Sequence, residues 1–197
     1  MLFGQYSSQS RIIKNHKQIK DLAIHCRGLG LKVVLTQGTW DMVHVGHARY
    51  LESAKKYGDV LIIGVDDDKK VKHRKGPDRP VVPEEERLEM LTYLRPVDIV
   101  FLKRLNDPKW QLIKAIRPDV LVTIADTYNN AQRKALKKYC GEVVVMPRQA
   151  TTSTSAKIRL LQINIAQKIG QALTPKVISV IDEVFREVKG DNTKKRK

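Results

Sequence analysis

The chain has 197 residues and a formal net charge of +16 at pH 7, with 42% hydrophobic and 29% charged residues. This length suits one globular domain, and the absence of an apolar run near the ~20 residues that cross a bilayer argues against a membrane span. The only two cysteines, Cys26 and Cys140, lack metal-ligand spacing, which argues against a zinc site or a disulfide framework. The basic charge predicts an anionic partner, which can be nucleic acid, an acidic membrane surface or a phosphorylated small molecule.

The predicted elements alternate between helix and strand. After a weakly patterned start without the features of a secretory signal, helical spacing from Ile19 predicts a helix that stops near Gly28. Five apolar runs predict buried strands: Leu31 to Leu35, Val60 to Val65, Val97 to Leu102, Val120 to Ile124 and Glu142 to Met146. Segments of helical period lie between them: Ala48 to Tyr57, Glu84 to Leu94, Trp110 to Ile116 and Ala131 to Tyr139. We therefore predict a doubly wound α/β fold, with a five-stranded parallel sheet covered on both faces and helical extensions at both ends.

Two further helical stretches are predicted after the last strand. The first carries an apolar stripe from Ile158 to Ile169, and the second begins with Thr174 as N-cap and Pro175 as the first helical residue. Both stripes need a partner, which is either the protein's own sheet or a second copy in a homodimer. The expected organisation is an N-terminal extension, a central domain, C-terminal helices and a basic tail: 1–30, 31–158, 159–190 and 191–197.

The most informative stretch follows the first predicted strand, from Gly38 to His47. Gly38 lies where the backbone turns or where a ligand approaches closely, and the helix beginning near Gly46 offers unpaired N–H groups that favour a phosphate. His44 and His47 can project to the same side and act on oxygens that gain charge during a reaction. We predict a phosphate-handling active site here. A metal site on the two histidines is a weaker alternative, because no third ligand is visible nearby.

Three motifs in this chain resemble those of one family. GTWD followed by HVGH resembles the GTFD and HxGH signature of the cytidylyltransferase-like nucleotidyltransferases. Lys75 to Arg87, KGPDRPVVPEEER, resembles a stretch of the adenylyltransferase domain of bacterial ADP-heptose synthase, and STS at Ser153 to Ser155 resembles its STT. The resemblance extends from about Leu31 to Ile158. It implies that a phosphate monoester attacks the α-phosphorus of a nucleoside triphosphate and expels pyrophosphate, with Mg²⁺ bound to the triphosphate and no protein-caged metal.

The resemblance also implies roles for individual residues. The catalytic residues it implies are His44, His47, Lys75 and Arg87. The nucleotide-binding residues it implies are Gly38, Thr39, Trp40, Asp41, Gly46, Asp126, Arg148, Ser153, Thr154 and Ser155. Phosphate or acceptor contacts are implied for Lys72, Arg79 and Tyr128. The hydroxyl residues also precede the Ile158 stripe, so they are natural N-caps, and capping is compatible with phosphate binding.

One loop departs from the family pattern and leaves the substrates open. Where the family commonly has GDDW or GGDY, this chain has IADTYNN, Ile124 to Asn130, without the glycines. Transfer of AMP from ATP to a sugar phosphate is the preferred prediction, because it follows the KGPDRP resemblance. The alternative is a CTP-dependent enzyme acting on a small phosphorylated alcohol. A non-enzymatic nucleic-acid-binding protein is a distant third, since few aromatic residues are interleaved with the basic ones. We expect a cytoplasmic homodimer.

Overall fold

The computed structural model of the protein describes residues 7–147, 149 and 154–194. Contacts divide the chain into two units, Met1–Thr151 and Thr152–Lys197. Within these described residues the first unit holds the sheet and six α-helices, and the second holds one long helix. None of the described helices combines the length and the apolar character that a membrane crossing requires.

The sheet of the first unit is parallel throughout, with the order β1-β4-β3-β2-β5-β6. Its strands are β1 (Ile12–Ile13), β2 (Val33–Gly38), β3 (Val60–Asp66), β4 (Ile99–Lys103), β5 (Val120–Ile124) and β6 (Glu142–Met146). The five predicted strands are present, which confirms the α/β class, but the described sheet has a sixth strand. β1 was missed because it is two residues long and is defined only by its pairing with Val100 and Phe101 of β4.

The helices are α1 (His16–Gly28), α2 (Val45–Lys55), α3 (Asp68–Lys75), α4 (Glu84–Thr92), α5 (Gln111–Ile116), α6 (Asn130–Leu136) and α7 (Thr154–Lys194). α1 begins earlier than its apolar stripe indicates, because the Asn15 side chain accepts from the backbone N–H groups of Lys17 and Gln18. α3 was not predicted, since Val71 is its only buried residue and no stripe marks it. The cap residue Asp67 accepts from Lys70 N at 2.7 Å and fixes its start.

Helices cover both faces of the sheet, as predicted. On one face Leu51 of α2 and Leu88 of α4 pack with Trp40 against the strands. On the other face Ile19 of α1 and Leu136 of α6 belong to a second buried cluster, together with residues of α5. β2 lies between β3 and β5, so the direction of winding reverses at β2. Ligands bind outside the carboxyl end of the strands at such a reversal, which places the loop after β2 at the expected site.

α7 is a single helix of 41 residues with Pro175 inside it, where the sequence predicted two separate stretches. The Thr174 hydroxyl donates to the carbonyl oxygen of Gly170 at 2.7 Å, so this side chain bonds backward along the helix instead of capping a new one. The two predicted stripes therefore lie on one continuous helix. Several apolar side chains of this helix are exposed, including Ile165, Ile181 and Phe185.

Replacing Gly58 with alanine is expected to destabilise the first unit by about 1–3 kcal/mol, because the backbone at Gly58 passes too close to Lys32 and Val34 to admit a Cβ. That Cβ would lie 2.6 Å from the carbonyl oxygen of Lys32 and 2.8 Å from Val34 Cγ2. Gly28→Ala is the matched control, since a Cβ there meets nothing within 4 Å. Urea unfolding of both variants measures the difference. Equal midpoints for the two variants would contradict the packing argument.

Candidate active site

The two histidines of the first loop form the start of α2. His44 is the N-cap residue, and its Nδ1 accepts from the backbone N–H of Gly46 at 3.0 Å. His47 Nδ1 accepts from the backbone N–H of His44 at 3.3 Å, and the two ring centroids are 4.1 Å apart. A neutral imidazole that accepts at Nδ1 carries its proton on Nε2. Each ring is therefore set to donate through Nε2–H, which suits a phosphate oxygen at the helix N-terminus.

Gly38 and Trp40 support these rings. A Cβ at Gly38 would lie 3.1 Å from Trp40 Cε2, so the glycine makes room for the indole as well as for the turn. Trp40 has a left-handed φ of 57° and is 6% exposed, and its Nε1 donates to the carbonyl oxygen of Gly64 at 3.2 Å. Its ring centroid is 5.5 Å from that of His47. The geometry therefore gives Trp40 a positioning role beside His47, and its direct nucleotide contact stays a prediction.

Asp41 joins the first loop to the KGPDRP segment. Its carboxylate accepts from the backbone N–H groups of Val82 at 3.0 Å and Val81 at 3.1 Å, and from Arg79 Nε at 2.8 Å. Burial raises the pKa of Asp41, but the bonds from Val82, Val81 and Arg79 outweigh it and leave the pKa below its usual value of 3.8. The structure thus brings two of the three motifs together, although they are about forty residues apart in sequence.

The lowered pKa of Asp41 predicts an acid-dependent loss of stability. The stabilisation is complete above the unfolded-state pKa near 3.9 and disappears as the pH falls through the lower folded-state value. At pH 7 we expect Asp41→Asn to cost about 1–3 kcal/mol, because the charged acceptor of three donors is lost. Thermal unfolding of both proteins between pH 7 and pH 3 measures this. A gap between them that stays constant over this range would contradict the assignment.

Arg87 is 1% exposed and holds the backbone of the site. Its Nε donates to the carbonyl oxygen of Val82 at 2.9 Å, and Nη1 donates to that of Thr39. Nη2 lies 2.8 Å from both the carbonyl oxygen of Asp66 and a carboxylate oxygen of Asp68. The sequence pattern predicted a catalytic phosphate contact for Arg87. These bonds give Arg87 a positioning role that ties the first loop to the end of β3 and the start of α4, and its phosphate contact stays a prediction.

Lys75 is the last residue of α3 and lies among other charged groups of the site. Burial and the nearby charges of Arg74 and Arg79 lower its pKa, while Asp41 and Asp66 act in the opposite direction. Lys75 is itself exposed, so its ammonium is accessible to an anionic ligand, and its phosphate contact stays a prediction. Lys72, one turn earlier on α3, is exposed.

Sequence reasoning missed an ion-pair cluster at the ends of β3 and β4. Asp66 is 1% exposed, and its Oδ1 lies 2.9 Å from Lys103 Nζ, its direct neighbour in the strand register. Arg74 Nη2 lies 3.0 Å from Asp66 Oδ2 and also donates to Thr39 Oγ1 at 2.8 Å. The sequence signal that could have indicated this cluster is a pair of opposite charges, Asp66 and Lys103, each directly after a predicted strand.

The other predicted site residues differ in burial, and some lie outside the described positions or side chains. Tyr128 is half-buried, and its hydroxyl accepts from Gln37 Nε2 at 3.3 Å. Burial, and secondarily the charge of Asp66, raises the pKa of Tyr128 to about 12. Asp126 is exposed. Four further predicted residues lie outside the described positions or side chains: Arg148, Ser153, Thr154 and Ser155. Among the side chains that the structure describes, no group of three or more His, Cys, Asp or Glu residues can hold a metal ion.

Comparison with known proteins finds relatives among bacterial proteins. The chain is 42% identical over 120 residues to the bifunctional protein HldE of Aliarcobacter butzleri (strain RM4018), which covers 61% of this chain and 25% of that protein. It is 33% identical over 150 residues to the bifunctional protein HldE of Desulfatibacillum aliphaticivorans, which covers 75% of this chain and 30% of the relative. The chain thus spans about a quarter of the length of the first of these relatives.

Two solved structures share the fold. A lipopolysaccharide core biosynthesis protein from Thermoplasma volcanium GSS1 matches with a TM-score of 0.51 and 28% identity, over 63% of this chain and 100% of that one. A pantoate-beta-alanine ligase from Francisella tularensis matches with a TM-score of 0.54 and 17% identity, over 73% of this chain and 68% of that one, which shows the fold alone. The family model described as cytidylyltransferase-like matches residues 35–189. The chain therefore belongs to the cytidylyltransferase-like family, as its first two motifs predicted.

Proposed function

We propose that this protein is a nucleotidyltransferase that transfers AMP from ATP to a phosphorylated sugar and releases pyrophosphate. The observation that carries this proposal is the pair of imidazoles at the N-terminus of α2, each set to donate through Nε2–H. The similarity to bacterial HldE proteins and the KGPDRP segment favour ATP and a sugar phosphate over other substrates. The reaction lies at the carboxyl end of β2, where the sheet reverses.

The proposed reaction needs little covalent chemistry from the protein. An oxygen of the acceptor phosphate attacks the α-phosphorus, a P–O bond forms, and the bond to the bridging oxygen breaks as its electron pair leaves with pyrophosphate. No general base is needed, because the nucleophile is already an anion. His44 and His47 donate to oxygens that gain negative charge, and the positive end of α2 acts on the same phosphates. Lys75, the last residue of α3, adds an exposed cation that attracts the phosphates.

Mg²⁺ is proposed to arrive on the triphosphate, where it neutralises phosphate charge. The carboxylates of the site fit this arrangement better than a protein cage. Asp41 accepts from two backbone N–H groups and Arg79, and Asp66 is paired with two cations. These pairings leave the phosphates as the main ligands of the ion.

A turnover assay tests the proposal. The purified protein is incubated with Mg²⁺, each of the four nucleoside triphosphates and an acceptor panel, and pyrophosphate release is measured. The panel contains heptose 1-phosphate, mannose 1-phosphate, glycerol 3-phosphate and phosphocholine. We expect release with ATP and a sugar phosphate. Turnover with CTP alone would overturn the choice of ATP, and no turnover with any pair would overturn the proposed function.

We also propose that the protein acts in the cytoplasm, where nucleoside triphosphates are available.

We propose further that the protein is a homodimer in which two copies pack through the exposed apolar residues of α7. Exposed apolar side chains recur along this helix of 41 residues, and a contiguous exposed apolar patch commonly marks a protein–protein interface. Ile165, Ile169, Ile181 and Val184 are each about half exposed, from 47% to 53%. Light scattering is expected to give twice the chain mass, and Ile169→Glu with Ile181→Glu is expected to give a monomer. A monomeric wild-type protein would contradict this.

A further inference from the structure

The ion-pair cluster at the ends of β3 and β4 is not explained by the handling of the triphosphate. Asp66 is buried, yet two cations from different elements converge on its carboxylate: Lys103 Nζ at 2.9 Å and Arg74 Nη2 at 3.0 Å. One negative charge therefore meets two positive charges. Although Arg74 Nη2 lies 3.0 Å from Asp66 Oδ2, that buried oxygen accepts no hydrogen bond from the residues that the structure describes. The carboxylate retains the capacity to accept a further donor.

Gly64, which has no side chain, leaves room for the side chains of this cluster. A Cβ at Gly64 would lie 2.8 Å from Lys103 Cδ, 2.8 Å from Leu112 Cδ2 and 3.0 Å from Gln37 Cγ. The side chains of Lys103 and Gln37 therefore lie over the bare backbone of Gly64. The Gln37 amide donates in turn to the hydroxyl of Tyr128, from the loop that departs from the family pattern. Three strands and that loop thus present polar groups to one place at the carboxyl edge of the sheet.

Arg74 connects this place to the reaction centre. Its Nη2 donates to Thr39 Oγ1 at 2.8 Å, and Thr39 belongs to the loop that carries both histidines. The acceptor phosphate must approach the α-phosphorus at that loop, so the rest of the acceptor has to occupy neighbouring space. The guanidinium of Arg74 contacts both this loop and Asp66, so the cluster around Lys103 lies next to that position.

The chemistry of the cluster fits hydroxyl groups. Lys103 provides ammonium donors, Asp66 provides a charged acceptor, and Gln37 and Tyr128 provide neutral groups that both donate and accept. A sugar hydroxyl is donor and acceptor at once and matches such a mixed set. A trimethylammonium group or an aliphatic chain would leave these groups without partners after desolvation, which is costly.

We propose that Lys103 and Asp66, assisted by Gln37 and Tyr128, form the acceptor-recognition site and bind the hydroxyl groups of the phosphorylated sugar. This inference rests on the proposed function. Lys103 is then a specificity-determining residue, and its ion pair with Asp66 orients the ammonium for the ligand. The same pair explains why a partly buried lysine lies at the end of β4 instead of an apolar residue.

The test compares three variants, using ATP and the sugar phosphate of the acceptor panel that the wild-type protein turns over fastest. Lys103→Met removes the ammonium but leaves Asp66 buried with one cation. The double variant Asp66→Asn with Lys103→Met removes the charges of both Asp66 and Lys103, and the Arg74 charge that remains is on a side chain 53% exposed that still donates to Thr39 Oγ1. Lys70→Met is the matched control, because its ammonium carries the same charge nearby and reaches the carbonyl oxygen of Arg104 at 3.4 Å.

For Lys103→Met and for the double variant we expect KM for the sugar phosphate to rise about 10- to 100-fold, with KM for ATP changed less than about twofold. Lys70→Met is expected to leave both constants within about twofold. The double variant should melt close to the wild-type temperature, which separates recognition from folding. An unchanged KM for the sugar phosphate in the folded double variant would overturn this inference alone. A wild-type protein without turnover on any acceptor would overturn the proposed function and the inference together.

An acceptor without the sugar separates hydroxyl recognition from phosphate recognition. With glycerol 3-phosphate as a competitive inhibitor of the sugar-phosphate reaction, Lys103→Met is expected to change its inhibition constant by less than about threefold, because fewer hydroxyl groups reach the cluster. Equal losses for the sugar phosphate and glycerol 3-phosphate would place Lys103 on the phosphate and overturn the assignment to hydroxyl groups.

Discussion

Replacing His47 with alanine is expected to lower kcat by about 10²- to 10³-fold, the usual cost of removing one donor to a developing charge. The Nε2–H of His47 is one of two imidazole donors at the N-terminus of α2, and no general base compensates for its loss. Little change is expected in KM for ATP, because the donation strengthens mainly as charge develops. Steady-state assay of pyrophosphate release with ATP and the sugar phosphate measures both constants.

Two variants separate catalysis from the structural role of His47. His47 Nδ1 also accepts from the backbone N–H of His44, so alanine removes part of the helix cap as well. His47→Asn retains an acceptor near the position of Nδ1 but lacks Nε2–H, and it is expected to lose as much activity as alanine. His25→Ala, on the exposed surface of α1, is expected to leave kcat unchanged. An asparagine variant with most of the wild-type rate would show that capping, and not donation, is what His47 contributes.

Replacing Arg87 with methionine is expected to destabilise the first unit by about 3–5 kcal/mol, the largest effect on stability among these predictions. The side chain is fully buried and its three guanidinium nitrogens bond within the protein. Methionine preserves the length of the stem but leaves the carbonyl oxygens of Thr39, Asp66 and Val82 without this donor. Urea unfolding followed by circular dichroism measures the free-energy difference.

The matched control for Arg87 is Arg95→Met, which removes the same charge from an exposed position just after α4. A change of less than about 0.5 kcal/mol is expected there. Activity adds a second readout, because the loop with Thr39 and Asp41 loses its anchor in Arg87→Met and kcat should fall even where the variant is folded. If Arg87→Met were as stable as the wild-type protein, the guanidinium would not be the structural tie that its contacts indicate.

The strands and the first loop were predictable because their signals are local. A strand buried on both faces is apolar throughout, so β3 and β5 are marked by their own composition. The histidine pair is equally local, since both cap contacts form within four residues of each other. β1 and α3 were missed for the converse reason. The pairing of β1 lies about ninety residues away in β4, and α3 is stabilised by a cap and by charges instead of an apolar stripe.

The sequence by itself determined the fold class, the family and the location of the phosphate-handling loop, because periodicity and motif spacing depend on near neighbours. Only the tertiary structure decided what the charged residues do. Arg87 matches the end of a motif, but its acceptors come from three separate segments, so its positioning role exists only in the folded chain. Lys103 lies beside Asp66 because β3 and β4 pair in one particular register, and no spacing along the chain encodes that contact. The burial of Asp66 makes this pairing necessary, since an isolated buried carboxylate would be costly.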